Sequence, residues 1–164
     1  MFKDFKELLS ALNAHKVRYL VIGGQAVNVH AQPRATKDLD LWMSPDPANA
    51  VALFEALSEF GAPLEGIEVE TLLKKGEFFR MGVPPVMVDI LSDMEGVDFD
   101  EAWARRLDVV VDKRTKLTAG FIGCEDLITA KKAAGRPQDI ADVAALEKAK
   151  KTAQTPPKRK PRSR

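Results

Sequence analysis

Three aspartates and one glycine pair are the residues of this chain whose types and spacing can do chemistry. Asp38 and Asp40 stand two apart in Asp38-Leu39-Asp40-Leu41-Trp42-Met43. That alternation has the period of a strand, so both carboxylates leave one face while Leu39 and Leu41 enter the core. Carboxylates side by side repel each other and cost stability unless a cation lies between them. Hard oxygen donors of this kind suit Mg2+ or Mn2+, bound by one or two carboxylates together with substrate phosphates. Asp89 repeats the pattern inside the apolar run Val86-Met87-Val88-Asp89-Ile90-Leu91, where a carboxylate needs a partner. Gly23-Gly24 closes a buried apolar segment, Tyr19-Leu20-Val21-Ile22, and opens a helical one. Without side chains the backbone there can bring its N–H groups onto an anion, and a helix N-terminus adds positive potential. A phosphate cradle, a carboxylate pair and a third carboxylate are what metal-assisted transfer from a nucleoside triphosphate (NTP) requires. Each part has a plainer reading as well: a turn, a solvated sheet face, and an acid balanced by a buried arginine.

The elements that must position these groups follow from periodicity. Phe2, Phe5, Leu8, Leu9 and Leu12 recur at helical spacing, predicting a helix from Phe2 to His15. Strands are predicted at Arg18–Ile22, Asp38–Met43, Phe78–Met81, Val86–Leu91 and Val109–Val111, and a short helix at Gln25–His30. Ser44 followed by Pro45 reads as the cap and first turn of a helix that ends at Gly61. Further helices are predicted at Phe99–Arg106, Glu125–Ala134 and Pro137–Lys150, while 61–76 shows no clear pattern. The order is that of a mixed α/β or α+β domain. One domain over 1–151 and a disordered basic tail over 152–164 are expected.

Composition narrows the function classes. One cysteine, Cys124, excludes a disulfide framework and a cysteine zinc site, and His15 and His30 have no ligand-spaced neighbours. No apolar run approaches the roughly 18 residues of a membrane span, and the charged N-terminus is unlike a signal peptide, so a cytoplasmic protein is expected. The net charge of +1 conceals an asymmetry. Eight of the 25 basic residues and none of the 24 acidic ones lie from Lys148 onward, leaving the rest at −7. Such a tail can neutralise nucleic-acid phosphates, or simply keep the chain in solution. Trp42 beside the acidic strand is either a stacking platform for a base or a core residue, with the core the simpler assignment.

Ile22-Gly23-Gly24, thirteen residues, Asp38-Leu39-Asp40-Leu41 and the later Val88-Asp89-Ile90 resemble the signature of the polymerase-beta-like nucleotidyltransferase superfamily. Arg34-Ala35-Thr36 ahead of Asp38, and the stretch Asp126–Asp142, are similar to its AbiEii-type branch, which includes toxins of bacterial toxin–antitoxin and phage-defence systems. The resemblance implies a nucleotidyltransferase fold, with a small mixed sheet flanked by helices and a helical C-terminal part. It implies Asp38 and Asp40 as metal ligands, and Asp89 as third ligand or base. Gly23 and Gly24 would contact the triphosphate, and Lys131 or its neighbour Lys132 would reach the phosphates. Arg34 and Arg136 are weaker candidates. The implied activity moves a nucleoside monophosphate from an NTP to a hydroxyl on RNA (tRNA among the candidates), on protein or on a small molecule. A cognate antitoxin or toxin partner and a homo-oligomer are further expectations. The competing expectation is a non-catalytic binding protein of the same fold, an antitoxin-like partner or an RNA-binding module.

Overall fold

A computed structural model describes residues 1–154 of the chain. Helix α1 (Lys3–Ala14) turns Phe5, Leu8, Leu9 and Leu12 to one side, and all four are fully buried. Strand β1 (Tyr19–Ile22) is buried along its whole length and runs straight into α2 (Gly23–His30). The helix therefore opens at Gly23 itself, two residues earlier than the periodicity predicts. Strand β2 (Leu39–Met43) follows, with Asp38 just ahead of it.

Helix α3 (Pro47–Phe60) begins later than expected. Asp46, not Ser44, is its cap: Asn49 N–H donates to Asp46 Oδ1 at 3.1 Å, and Pro47 takes the first turn. Ser44 is claimed by the sheet instead, its backbone N–H donating to Arg18 O at 3.1 Å. Gly61 ends α3 in the left-handed conformation at φ 87°, as the sequence suggests. A single 3-10 turn (Val69–Leu73) lies in the stretch that shows no pattern. Strands β3 (Phe78–Val83) and β4 (Val86–Leu91) pair across Pro84-Pro85, which form a cis peptide. Helix α4 (Phe99–Ala104), capped by Asp98, leads to β5 (Leu107–Asp112) and β6 (Leu117–Phe121). β6 escapes the sequence reading because Leu-Thr-Ala-Gly-Phe has little β-branched content. Helices α5 (Cys124–Ala134) and α6 (Pro137–Gln154) complete the described chain. Thr152, Ala153 and Gln154, expected in the tail, are helical. The remainder of the expected tail, 155–164, lies outside the described residues.

The six strands form one mixed sheet in the order β3-β4-β2-β1-β6-β5. β2 is antiparallel to β1 and parallel to β4, and β6 is parallel to β1. Trp42 is 2% exposed and meets Phe99 edge-on at 5.0 Å, so it is a core residue and not a stacking platform. No helix among the described residues is long and apolar enough to cross a membrane.

Candidate active site

The strand register brings the acids together. Asp40 on β2 lies directly beside Asp89 on β4, and opposite Ile22 at the end of β1. Their same-face neighbour Asp38 precedes β2, and all three line one cleft of about 550 Å³. The central strands expose these carboxylates at the point where the chain leaves β1 for α2. Gly23 occupies that point at φ 63°, and a β-carbon there would lie 2.1 Å from Asp40 Oδ2. Only glycine accommodates both the left-handed backbone and the close approach. Gly24 serves packing: a β-carbon on it would meet Thr36 Oγ1 at 2.5 Å.

Asp40 carries the electrostatic cost of this arrangement. Burial, then the charges of Asp89 and Asp38, push its carboxyl up to about 6, while Lys131 and Arg136 pull the other way. Asp89 has a partner. Arg80, its register neighbour on β3, donates from Nε to Oδ1 at 2.6 Å and from Nη2 to Oδ2 at 2.7 Å. Asp89 is therefore balanced by an arginine, but by an exposed one on the edge strand and not by the buried one of the plainer reading.

The opposite wall comes from α5 and α6. Lys131 lines the cleft, whereas Lys132 turns away to pair with Glu147 at 2.9 Å. Lys131 Nζ is buried and bonded to Asp139 at 3.2 Å and to Asp142 at 2.8 Å. Arg136 grips Asp139 at 2.7 Å. Arg34 grips Asp142 through Nε and Nη2, at 2.8 and 2.9 Å. The two aspartate side chains are 2% exposed. Burial works against the charge of Asp142, yet hydrogen bonds from Arg34, Lys131 and Gln138 prevail and hold its carboxyl down at about 2. Arg34 is thus a brace between the segment ahead of β2 and α6, and it does not line the cleft. Arg80, Asp139 and Asp142 were not singled out by sequence reasoning. For the last two, the signal was an i, i+3 acid pair on an otherwise alanine-rich helix, two residues past the arginine and proline of Arg136-Pro137.

The donor set suits a hard divalent cation in one respect. Asp38 and Asp40 both present carboxylates to the cleft, and burial first, then the neighbouring acids, disfavour the lone charge on Asp40, a cost that a bound cation would relieve. Among the described residues, no three acid, histidine or cysteine side chains are gathered closely enough to enclose an ion. A cation here would complete its shell with water and phosphate oxygens, as Mg2+ commonly does. Apolar groups (Phe78, Leu91, Met94, Leu127) share the cleft with these charges, as a site for a nucleotide base would require.

Residues 1–152 match the family described as nucleotidyltransferase of unknown function (DUF6036). No curated protein matches the chain. Among solved structures, a candidate nucleotidyltransferase from Thermotoga maritima (TM1012) superposes with a TM-score of 0.55 at 14% identity, covering 90% of this chain and 91% of the other. The antibiotic-resistance factor ANT(2'')-Ia superposes with a TM-score of 0.56 at 13% identity, over 92% and 82% of the two chains. Its crystal structure in complex with adenylyl-2''-tobramycin gives 0.55 at 13% identity, over 91% and 87%. At these identities the likeness shows the fold: a mixed α+β arrangement shared with nucleotidyltransferase structures.

Proposed function

The chain belongs to the DUF6036 family of nucleotidyltransferases, and on that premise we propose that its cleft moves a nucleoside monophosphate from an NTP to a hydroxyl acceptor, releasing pyrophosphate. The observation that carries the reading is the register of Asp40 against Asp89 at the end of β1, with Gly23 closed onto Asp40. Asp38 and Asp40 would hold the cation, and Asp89 is the third ligand or the base. When bound, Mg2+ or Mn2+ supplies Lewis-acid charge to the phosphates and to the attacking oxygen. Gly23, which lines the cleft, would offer its backbone N–H at the start of α2, where a helix N-terminus carries positive potential, with Gly24 packed behind it against Thr36. Lys131 and Arg136 set positive charge on the far wall, fixed by Asp139 and Asp142, so a triphosphate meets donors that need not reorganise. The acceptor oxygen bonds to the α-phosphorus as the bond to pyrophosphate breaks, and its proton passes to a cleft carboxylate.

RNA is the acceptor that the basic C-terminal segment favours; a protein hydroxyl is the alternative. ANT(2'')-Ia, whose structure holds an adenylylated tobramycin, adds a small polyhydroxyl acceptor to the set worth testing. A toxin-like role with a cognate antitoxin rests only on the AbiEii-type likeness of Arg34-Ala35-Thr36 and of Asp126–Asp142. The second reading, a nucleotide-binding protein without transfer, draws on one observation: Arg80 holds both oxygens of Asp89.

The test is incubation with each α-labelled NTP, Mg2+ or Mn2+, and tRNA, cell protein or an aminoglycoside, beside the Asp38→Asn/Asp40→Asn double variant. Label on one acceptor with wild type alone supports the transferase. Metal-dependent nucleotide binding without transfer supports the binding protein, and neither result in any combination would sink both.

A further inference from the structure

Arg80 is the cleft cation that the motif does not anticipate. Its position is set by the sheet, because β3 pairs antiparallel to β4 with Arg80 directly across from Asp89. The guanidinium meets the carboxylate fork to fork and occupies both oxygens, the geometry in which arginine binds carboxylate most strongly. The two ends of this pair differ in freedom. Asp89 is 14% exposed on an inner strand, whereas the Arg80 side chain is 53% exposed on the edge strand β3, with its guanidinium 5.5 Å above the exposed Phe78 ring. Arg80 thus has solvent-side room around it that Asp89, on the inner strand, lacks.

We propose that Arg80 is an exchangeable counter-ion: it holds Asp89 in the metal-free cleft and transfers its fork to the triphosphate when Asp89 takes up its ligand or base role. This deepens the transferase reading and rests on it. Arg80 must release at least one Asp89 oxygen before that carboxylate can ligate a cation or accept a proton. A planar guanidinium binds phosphate by the same bidentate geometry it uses on a carboxylate. Lys131 and Arg136, the other cations lining the cleft, are tied to the buried Asp139 and Asp142. Arg80 is therefore the cleft cation whose partner would be lost as the NTP binds. Exchange also keeps the crowded acids neutralised between turnovers, and makes cation binding and triphosphate binding favour one another.

The test is Mn2+ binding, read by the loss of the free-ion electron paramagnetic signal, in wild type, Arg80→Ala, Arg80→Lys and Asp40→Asn. Each is titrated with Mn2+ alone and then with the non-transferable analogue α,β-methylene-ATP and Mn2+ together. Without nucleotide, Arg80→Ala should bind Mn2+ about tenfold more tightly than wild type, because a charge-assisted competitor is gone. With the analogue, its nucleotide affinity should fall about tenfold, and Arg80→Lys, a charge without the fork, should lie between on both readouts. Equal or weaker Mn2+ binding by Arg80→Ala, with Asp40→Asn still abolishing it, would overturn the exchange and leave the transferase reading standing. Mn2+ binding insensitive to Asp40→Asn in every background would overturn both. Circular dichroism melts identify any variant that fails to fold, and Arg80→Lys then decides the question, since it keeps the charge and the aliphatic stem.

Discussion

Asp40 shows what burial among other acids costs a carboxylate. Its carboxyl is raised from 3.8 to about 6 by burial and by the neighbouring acids, so the folded chain holds this proton more tightly than the unfolded chain does. The protonated form therefore favours the fold at pH below about 4. That advantage is lost as pH rises through about 6, above which the ionised group is a standing cost. A shift of about two units corresponds to about 3 kcal/mol. Asp40→Asn should accordingly stabilise the metal-free protein at pH 7.5 by about 1–3 kcal/mol, with the gap shrinking toward pH 4. Thermal unfolding in chelator at several pH values checks this, and a variant less stable than wild type at pH 7.5 would contradict it. Gly23 is the complementary case. Gly23→Ala places a methyl group 2.1 Å from Asp40 Oδ2 at φ 63°, which costs about 1–2 kcal/mol for the backbone alone and pushes the carboxylate off its position. A displacement of that order lowers transfer about 100-fold, so the assay should show a large fall in kcat while the melting temperature drops only a few degrees.

At the scale of elements, the acids can be read from the sequence and the braces cannot. Asp38 and Asp40 announce themselves as two carboxylates on one face of an alternating strand, and Asp89 as a carboxylate inside an apolar run; the sheet register then sets Asp40 beside Asp89. Arg80 gives no such signal: arginine in an edge strand is ordinary, and only the β3–β4 register reveals its partner. Asp139 and Asp142 look like solvated helix positions until α6 packs on α2 and α5 and buries them. β6 was illegible for a different reason, since its Thr-Ala-Gly content gains strand structure only from β1 and β5 on either side. Helix starts slipped where two capping signals compete, as at Ser44 and Asp46. The brace yields its own prediction. Asp142 joins Arg34 and Lys131, so Asp142→Ala leaves two cations facing each other with one partner removed. Breaking a buried pair on one side costs about 3–5 kcal/mol, and the urea midpoint at pH 7 should fall accordingly. Because the carboxyl is held near 2, its contribution is complete above pH 4 and is lost as pH falls toward 2. The difference between wild type and variant should narrow over that acid range, and a difference that widens there would refute the assignment.

The whole molecule is an acidic body attached to a basic end. Five of the 25 lysines and arginines and none of the acids lie in 155–164, which leaves 1–154 with 20 basic against 24 acidic residues. An acidic body repels a polyanion, so an RNA acceptor would depend on the C-terminal charges for its encounter, while a small cationic acceptor would be attracted by the body alone. The two acceptor classes therefore predict opposite responses to removing the end. If RNA is the acceptor, the full chain should bind tRNA with log K falling by about 3 to 4 for each tenfold rise in salt, from five charges at about 0.7 each on a single strand. The chain ending at Gln154 should lose that slope and most of its affinity at low salt. Its transfer to a small polyhydroxyl amine should be unchanged, because the cleft residues all lie within the retained body. Filter binding of labelled tRNA across a salt series, beside transfer assays on both acceptors, measures the two responses together. Unaltered tRNA binding by the shortened chain would remove the charge argument for RNA and leave the cleft acids, which suit a cationic acceptor, as the remaining guide to substrate.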